Sequence, residues 1–342
     1  MTAPLLACVG PAQHGVRMHA ENLAAHTPHA PTVVGPADRV RPDLLAGRTP
    51  VHLHFTDRIF GSTPAGAADA VVEIARVRPV TVTLHDLPQP ANGHAFEARR
   101  ACYARVADAA RTVIVSSESE RAQLARHVPG TAPVLVAPLP VDPPERGAWD
   151  AARRHADSGQ RPTEGARPTV GMLGFLYPGK GHDRVLDALA DVPFPVDVLA
   201  LGRASDGHDD LVEELDRAAR RAGHTFRVTG FLDDAALTRA AQRVTVPVVA
   251  PAHVSASGSV GRWISAGRRP LVTLHPFFEE LAARAPWALT LTDDLPAALR
   301  DALADPGSTW IAPDEWRTSD LPSSAVAATV QWEQITAPGR LA

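Results

Sequence analysis

The chain has 342 residues, of which 45% are hydrophobic and 21% charged, a composition typical of a globular protein long enough for two domains. Its formal net charge of -4 argues against a protein that coats nucleic acid, because neutralising phosphates needs a basic surface. The two cysteines, Cys8 and Cys102, are too few for a disulfide framework and lack metal-ligand spacing. Cys8 lies in an apolar run and is expected to be buried.

The N-terminal segment MTAPLLACVGPAQHG has no basic region before its short apolar run, which argues against a signal peptide. No apolar run approaches the roughly 18 residues that a membrane span needs. We therefore expect a cytoplasmic protein without a transmembrane segment. The arginine-bearing segment EARRACYAR is a candidate for peripheral membrane contact, but its mostly alanine apolar face would anchor poorly.

Short β-rich apolar runs alternate with alanine-rich segments through the first part of the chain. Helical segments such as HAFEARRACYARVADAA and SESERAQLARHV separate the runs, and the second begins with a serine and glutamates, as helix starts do. This rhythm predicts a parallel sheet covered on both faces. The predicted strands span 4–10, 32–36, 51–55, 80–87, 112–117 and 134–140.

The rhythm breaks at 143–168, which is rich in proline, glycine and charge, and we interpret this stretch as a linker with one or two helical turns. It then resumes, with predicted strands at 169–176, 196–202, 226–232, 244–250, 270–275 and 287–293. The pattern predicts an α/β chain of two doubly wound, Rossmann-like domains that face an interdomain cleft. The expected boundaries are 1–142, a linker at 143–168, 169–315, and a tail at 316–342 that packs back on the first domain.

The segment GFLYPGKGHD contains Lys180, the single lysine among 34 basic residues. Gly174, Gly179 and Lys180 match the start of a P-loop, whose amides and lysine hold phosphates. A P-loop then needs a serine or threonine to ligate Mg²⁺, and Gly181 has no hydroxyl. The segment therefore does not fit the loop of a P-loop NTPase and indicates another kind of phosphate-binding loop.

Motifs in a fixed order along residues 5 to 300 give a second interpretation of this loop. Together they resemble the retaining GT-B glycosyltransferases of family 4, also called group 1, whose second domain opens with a strand, a lysine loop and a helix. The matching segments are HLH, VTLHDL, VIVSSESERAQL, VAPLPVD, GFLYPGKGHDRVLDAL, VTGFLDDAALTRA and PAHVSASGSVGRWISAGRRPLVT.

The donor side follows from the chemistry and from this resemblance. A metal-free transferase must stabilise a diphosphate leaving group with fixed cations and backbone donors. Lys180 is the expected cation, and the turn of Ser257, Gly258 and Ser259 before a helix is the second expected diphosphate site. The resemblance further implies that Phe231 and Leu232 meet the nucleotide base, although a core position for Phe231 is equally compatible with the sequence.

The first domain is expected to supply the sugar and acceptor contacts. His85 ends a predicted strand, and carboxyl ends of parallel strands face the ligand crevice. By resemblance His85 contacts a donor-sugar hydroxyl, and Asp86 either orients it or caps a turn. The loop before the first helix contributes Gly15 as a donor-binding residue that permits close approach, and His14 and Arg17 as candidate acceptor or cleft residues. His52 and His54 form a weak two-ligand metal pattern that we interpret as core or strand-end histidines.

The sequence departs from the family pattern at three places. The family carries two glutamates eight residues apart, whereas Ser255 lies near the first position and Arg262 or Trp263 near the second. Phe175 occupies the place of an arginine that usually precedes the loop lysine. Candidate replacement cations are Arg17, Arg203 and Arg262.

The expected function is a metal-independent, retaining hexosyltransferase that moves a sugar from a UDP- or GDP-sugar to a hydroxyl- or amine-bearing acceptor. No cofactor, metal or nucleic-acid partner is expected. Two alternatives also fit the sequence, a catalytically silent sugar-nucleotide binder or partner subunit and a GT-B sugar-nucleotide epimerase.

Overall fold

The computed structural model describes residues 3–128, 130, 132–158, 167–317 and 320–337. The chain divides into two compact units. The first unit contains the residues up to Pro140 and those from Pro322 onward, and the second runs from Val141 to Leu321.

Within the described residues, twelve strands form two six-stranded sheets, one in each unit, and each of their pairings is parallel. The first sheet has the order β2-β1-β3-β4-β5-β6 and the second β12-β11-β10-β7-β8-β9. The strands are β1 Leu5–Val9, β2 Thr32–Gly35, β3 Val51–Phe55, β4 Val80–Leu84, β5 Thr112–Val115, β6 Val134–Val136, β7 Thr169–Leu173, β8 Asp197–Leu201, β9 Thr225–Val228, β10 Val246–Val249, β11 Leu271–Thr273 and β12 Thr290–Thr292.

The α-helices alternate with these strands, as the parallel pairing requires. They are α1 Gly15–Ala25, α2 Ala37–Ala46, α3 Asp57–Phe60, α4 Pro64–Val77, α5 Phe96–Ala109, α6 Glu118–His127, α7 Arg146–Ser158, α8 His182–Ala188, α9 Asp209–Arg221, α10 Asp234–Arg243, α11 Gly258–Ser265, α12 Pro276–Arg284, α13 Leu295–Ala304, α14 Pro313–Arg317 and α15 Ser324–Thr336. None of the described helices is long and apolar enough to cross a membrane.

Strand β3 shows how the sequence divides the first sheet into two faces. Val51, Leu53 and Phe55 belong to the large apolar core that also includes residues of α4 and α5. His52 and His54 alternate with them and therefore lie on the opposite face. Helices α1 and α15 contact each other in this unit, and their apolar residues form a separate small core with strand residues of the sheet.

The second sheet has a core of β-branched and small residues from its central strands, packed against helices that include α8, α9 and α13. Two glycines allow the loop at the carboxyl end of β7 to approach the chain that follows β8 and the chain that follows β10. A Cβ on Gly202 would lie 2.1 Å from the carbonyl oxygen of Gly174, and one on Gly181 would lie 1.9 Å from that of Ala250. No side chain other than hydrogen fits at either place.

All twelve strands lie within or overlap the runs predicted from the sequence, and the α/β fold class is confirmed. The stretch from 143 to 168 differs from the prediction, because it contains the 13-residue helix α7 and not merely one or two turns. Ala148 of this helix is buried and packs beside Gly267, so tertiary contact stabilises a helix that its own sequence pattern predicts weakly. Residues 159–166 of the predicted linker lie outside the described residues.

Candidate functional site

The lysine loop of the second unit, residues 174–181, connects β7 to α8. It begins at Gly174 and ends at Gly181, whose φ angles of 108° and 98° lie in the region that favours glycine. The amide of Gly174 donates to the carbonyl of Leu201 at 3.0 Å, and that of Lys180 to the carbonyl of Tyr177 at 3.1 Å. These bonds hold the loop at the carboxyl ends of β7 and β8, where open α/β sheets bind ligands.

The ammonium group of Lys180 has no carboxylate partner among the described residues. Its Nζ lies 3.5 Å from Ser259 Oγ, and a Cβ on Gly174 would lie only 3.4 Å from Nζ. Burial lowers the pKa of Lys180 to about 8, because desolvation penalises the charged form. The loop therefore presents a cation whose charge nothing in the described protein neutralises.

The serine turn, residues 257–259, lies beside this cation at the start of α11. Ser257 occupies the N-cap position, but its side chain makes no capping bond and lies 3.0 Å, Oγ to Oγ, from Ser259. A Cβ on Gly258 would meet nothing within 4 Å, so the turn is open at this point. Free amides at a helix start, together with the positive end of its dipole, attract anions. The structure thus brings Lys180 and the serine turn together.

The candidate replacement cations have different surroundings. Arg203 contacts the lysine loop, because its Cζ lies 4.8 Å from the ring centroid of Phe175. Arg262 forms a 2.9 Å ion pair with Asp234. Arg17 belongs to the other unit, where its guanidinium is engaged as described below.

The residues expected to meet the base follow β9. Phe231 is 51% exposed, which excludes the core position that the sequence left open, and Leu232 is half-buried. The hydroxyl of Thr229 accepts a 3.0 Å bond from the amide of Gly202, so this segment lies next to the loop that follows β8. An exposed aromatic ring is thereby held near the carboxyl edge of the second sheet.

In the first unit, His85 directly follows β4. Its amide donates to the carbonyl of Phe55 at 2.8 Å, which continues the pairing of β3 with β4 by one residue. Its ring is half-buried, and its Nε2 lies 3.1 Å from His54 Nδ1. The structure therefore places His85 at the carboxyl edge of the first sheet.

A buried ion pair clamps the backbone beside His85. Asp86 has a φ angle of 50° and is the one non-glycine residue with positive φ in the described chain. Arg99 donates to its carbonyl at 2.7 Å and also binds the Asp57 carboxylate, while Tyr103 donates to the carbonyl of His85 at 2.6 Å. Such strained backbone persists only where surrounding contacts hold it, and it is common at functional sites.

These contacts differ from what the sequence predicted for Asp86. The Asp86 carboxylate makes no hydrogen bond within the described residues, so it neither orients His85 nor caps a turn. The sequence did not identify the residues that hold this backbone, which are Arg99, Asp57 and Tyr103. The available signals were an acidic residue just after a predicted strand, and an arginine and a tyrosine four residues apart on one helix face.

Four histidines pack together on the side of the first sheet that holds α1. His54 lies 4.9 Å from His52 and 5.1 Å from His19, ring centroid to centroid, and stacks on His85 at 5.4 Å. Burial lowers the pKa of His19 to about 4 and, together with the nearby His19, that of His52 to about 3. Burial and the neighbouring histidines hold the pKa of His54 and His85 well below 6.5. No group of three or more side chains suited to a metal ion occurs in the described part of the chain.

The loop before α1 lies at the same carboxyl edge of the sheet. His14 caps the helix, since its Nδ1 accepts a 3.3 Å bond from the amide of Val16. Gly15 is exposed, and a Cβ there would meet nothing within 4 Å. Arg17 donates to Glu21 at 2.9 Å and to the carbonyl of Gly10 at 2.8 Å, so its charge is already paired.

Neither a protein-family model nor a curated protein matches the sequence. Solved structures do match it over nearly its whole length. HepE of Anabaena, crystallised with UDP and glucose, aligns with a TM-score of 0.75 at 15% identity over 98% of this chain and 100% of its own. The chain has the GT-B fold.

Two further structures share this GT-B architecture at similarly low identity. Sucrose-phosphate synthase of Thermosynechococcus elongatus gives a TM-score of 0.70 at 15% identity and covers 97% of this chain and 98% of its own. The UDP-forming α,α-trehalose-phosphate synthase of Burkholderia vietnamiensis gives 0.60 at 16% identity, with coverage of 95% and 80%. Identities of this size show the fold alone.

Within this GT-B chain, the positions that lack the glutamates of the resembled family differ in exposure. Ser255 is 7% exposed, and the indole of Trp263 is fully buried in the described structure. Arg262 keeps 43% of its side chain exposed and is paired with Asp234. The two positions therefore offer a buried serine and a paired cation where a carboxylate is expected.

Proposed function

We propose that the protein is a metal-independent, retaining glycosyltransferase that transfers a hexose from a nucleoside diphosphate sugar to a hydroxyl- or amine-bearing acceptor. One observation carries the proposal. The uncompensated ammonium of Lys180 lies beside the open helix start at Ser257 and Ser259, in a chain with the GT-B fold. This arrangement suits a diphosphate, whose negative charge grows as the bond to the sugar breaks.

Lysine fits this task better than arginine. An ammonium is a compact point charge that can follow moving phosphate oxygens, whereas a guanidinium is a rigid fork suited to one fixed partner. With a pKa of about 8, Lys180 is mostly charged at neutral pH. A bound diphosphate would supply the counter-charge that the described residues lack and would raise this pKa.

A UDP-sugar is the proposed donor. HepE has been crystallised with UDP-glucose, and the trehalose-phosphate synthase is named as UDP-forming. Both resemble this chain in fold, which supports the uridine nucleotide over guanosine. In the proposal the region 169–315 binds the donor, with Phe231 and Leu232 beside the base.

The region 1–142 is proposed to bind the acceptor, and His85 to contact a hydroxyl of the donor sugar. Because no carboxylate occupies the two family positions near Ser255 and Arg262, we propose transfer without a protein nucleophile. The acceptor's oxygen or nitrogen bonds to the anomeric carbon on the face from which the diphosphate leaves, and the diphosphate takes the acceptor's proton, so the anomeric configuration is retained. The proposed site of action is the cytoplasm.

Lys180→Ala and Lys180→Arg test the proposal. The purified protein is assayed for UDP release from a panel of UDP-sugars with mixed hydroxyl and amine acceptors. Lys180→Ala loses the charge contact and should lower the rate by about 10²-fold or more. Arg220→Ala, which removes an exposed cation paired with Asp216 in the same unit, is the matched control and should leave the rate unchanged. Equal rates in all four proteins would reject the role of Lys180.

A catalytically silent UDP-sugar binder is the second candidate, favoured by the buried Ser255 and Trp263 at the glutamate positions. It predicts that UDP binds in calorimetry, that Lys180→Ala weakens this binding, and that no donor is hydrolysed or transferred across the panel. Transfer to any acceptor would exclude it.

A further inference from the structure

Two histidines share one hydrogen bond at the ends of β3 and β4. His54 Nδ1 and His85 Nε2 are 3.1 Å apart, and the planes of the rings differ by 23°. Between two neutral imidazoles, one nitrogen of the bonded pair carries the proton and the other accepts it. The direction of this bond decides whether the remaining nitrogen of His85 is a donor or an acceptor.

The second nitrogen of His54 decides this direction. His54 is 2% exposed, and its Nε2 is buried without a hydrogen-bond partner in the described structure. If His54 accepted from His85, its own proton would lie on Nε2 as a buried, unpaired N–H. Orphaned N–H groups are rarer in folded proteins than under-satisfied acceptors, because the donor loses its bond to water and gains nothing. His54 therefore holds its proton on Nδ1 and donates it to His85.

The neighbouring His52 cannot change this assignment, because its own bonds are complete. Gln331 Nε2 donates to Thr83 Oγ1 at 2.8 Å and lies 3.5 Å from His52 Nε2, so a donor already faces that nitrogen, and it accepts the Thr83 hydroxyl hydrogen at 3.1 Å. His52 Nδ1 then donates to Thr81 Oγ1 at 2.9 Å. The proton of His52 is committed to a threonine and is not shared with His54.

We propose that His54 is a positioning residue that fixes His85 as the tautomer protonated on Nδ1, so that His85 offers its ligand a hydrogen-bond donor. No described residue bonds to His85 Nδ1, and the ring is half-buried at the carboxyl edge of the sheet. The matching ligand atom is an acceptor oxygen. That this oxygen belongs to the sugar of a UDP-sugar rests on the proposed function, whereas the position of the proton does not.

Both rings are uncharged at neutral pH. Burial and the nearby His19 and His52 lower the pKa of each ring well below 6.5. His85 lowers the pKa of His54 further, and His14 lowers that of His85. Asp86 follows His85 directly but makes no hydrogen bond to it in the described chain. The Arg99–Asp57 pair is bonded to the backbone beside the ring, at the carbonyl of Asp86.

The proton position is measured by long-range ¹H–¹⁵N correlation on the ¹⁵N-histidine-labelled full chain at neutral pH, with His85→Gln to assign the signals. We expect His85 to be protonated on Nδ1 in the parent. His54→Asn keeps an N–H donor near the same place and should preserve this tautomer. His54→Asp offers only acceptors and should move the proton to Nε2. His52→Asn, the matched control, removes a buried histidine from the same strand face and should leave the His85 signals in the parent pattern.

Protonation of His85 on Nε2 in the parent would overturn the inference, as would an unchanged tautomer in a folded His54→Asp protein. If His54→Asp does not fold, the inference is tested by the spectra of the parent and of His54→Asn, in which His85 should be protonated on Nδ1. In calorimetry, His54→Asp should weaken the binding of UDP-glucose about tenfold or more. The binding of UDP, which has no sugar, should be unaffected. The expected tautomers together with no binding of either nucleotide would support this inference and reject the proposed function.

Discussion

The guanidinium of Arg203 lies over the ring of Phe175, with Cζ 4.8 Å from the ring centroid. Phe175 lies in the lysine loop where the resembled family has an arginine. The contact therefore places the cation of Arg203 close to the position of the missing arginine. Asp206 and the carbonyl of Ala204 orient the same guanidinium at 2.8 and 3.0 Å.

The first prediction is that Arg203 supports the diphosphate. Arg203→Gln should weaken UDP binding about tenfold, because a charge-assisted contact to phosphate is lost. Isothermal titration calorimetry measures this, and Arg220→Gln in the same unit is the control. If Arg262→Gln weakens binding and Arg203→Gln does not, the replacement cation is Arg262.

The second prediction concerns the pH dependence of donor binding. The Lys180 ammonium, with a pKa of about 8 in the free protein, binds the diphosphate only when protonated. UDP affinity should therefore fall as the pH rises from about 7 through 8. Lys180→Arg should remove this fall, because arginine stays charged. A parent affinity that is constant to about pH 10 would contradict the prediction.

The third prediction concerns the clamp at His85. Arg99 and Asp57 form a pair with only 13% and 7% of their side chains exposed. Arg99→Leu should lower the free energy of unfolding by about 3–5 kcal/mol, because it leaves a buried carboxylate unpaired. Arg100→Leu, on the same helix but exposed and paired with Glu97, should change it by less than about 1 kcal/mol. Urea denaturation compares the two, and a loss from Arg99→Leu as small as that expected from Arg100→Leu would mean that the ion pair contributes little to stability.

The fourth prediction is a loss of stability in acid. The pKa values of His19 and His52 in the folded chain, about 4 and about 3, lie below the ordinary 6.5, so the unfolded chain binds protons first as the pH falls. Stability should be complete above about pH 6.5 and decline below it, by about 1.4 kcal/mol per pH unit for each such histidine. Urea unfolding at several pH values measures the slope. His19→Gln should make the slope shallower, and an unchanged slope would contradict the role of His19.

The fifth prediction separates steric fit from backbone strain at the lysine loop. Gly181→Ala adds a methyl group 1.9 Å from the carbonyl oxygen of Ala250, at a φ angle of 98°. Gly207→Ala adds one at a φ angle of 81° with nothing within 4 Å. The control should lose about 1–2 kcal/mol from strain alone, and Gly181→Ala clearly more. Similar melting temperatures would mean that the loop can move away from Ala250.

The strands were predictable because both sheets are parallel and buried on two faces, so each strand is a short, continuous apolar run. The pairing of Lys180 with the serine turn was also accessible, since both follow strands at the carboxyl edge. The length of helix α7 was not predictable, because the tertiary contact of Ala148 with Gly267 stabilises this helix. The bond between His54 and His85 joins residues 31 positions apart and depends on strand register, which no local pattern reports.

Gln331 bonds to Thr83 across 248 positions of sequence, and α15 completes a layer begun by β1 and α1. The first unit is thus made of two segments, one before and one after the second unit in the sequence. During synthesis on the ribosome, His52 and Thr83 must wait until α15 has emerged before their layer is covered. The entropy cost of closing so long a loop grows only with the logarithm of its length, so the arrangement delays folding more than it weakens the native state.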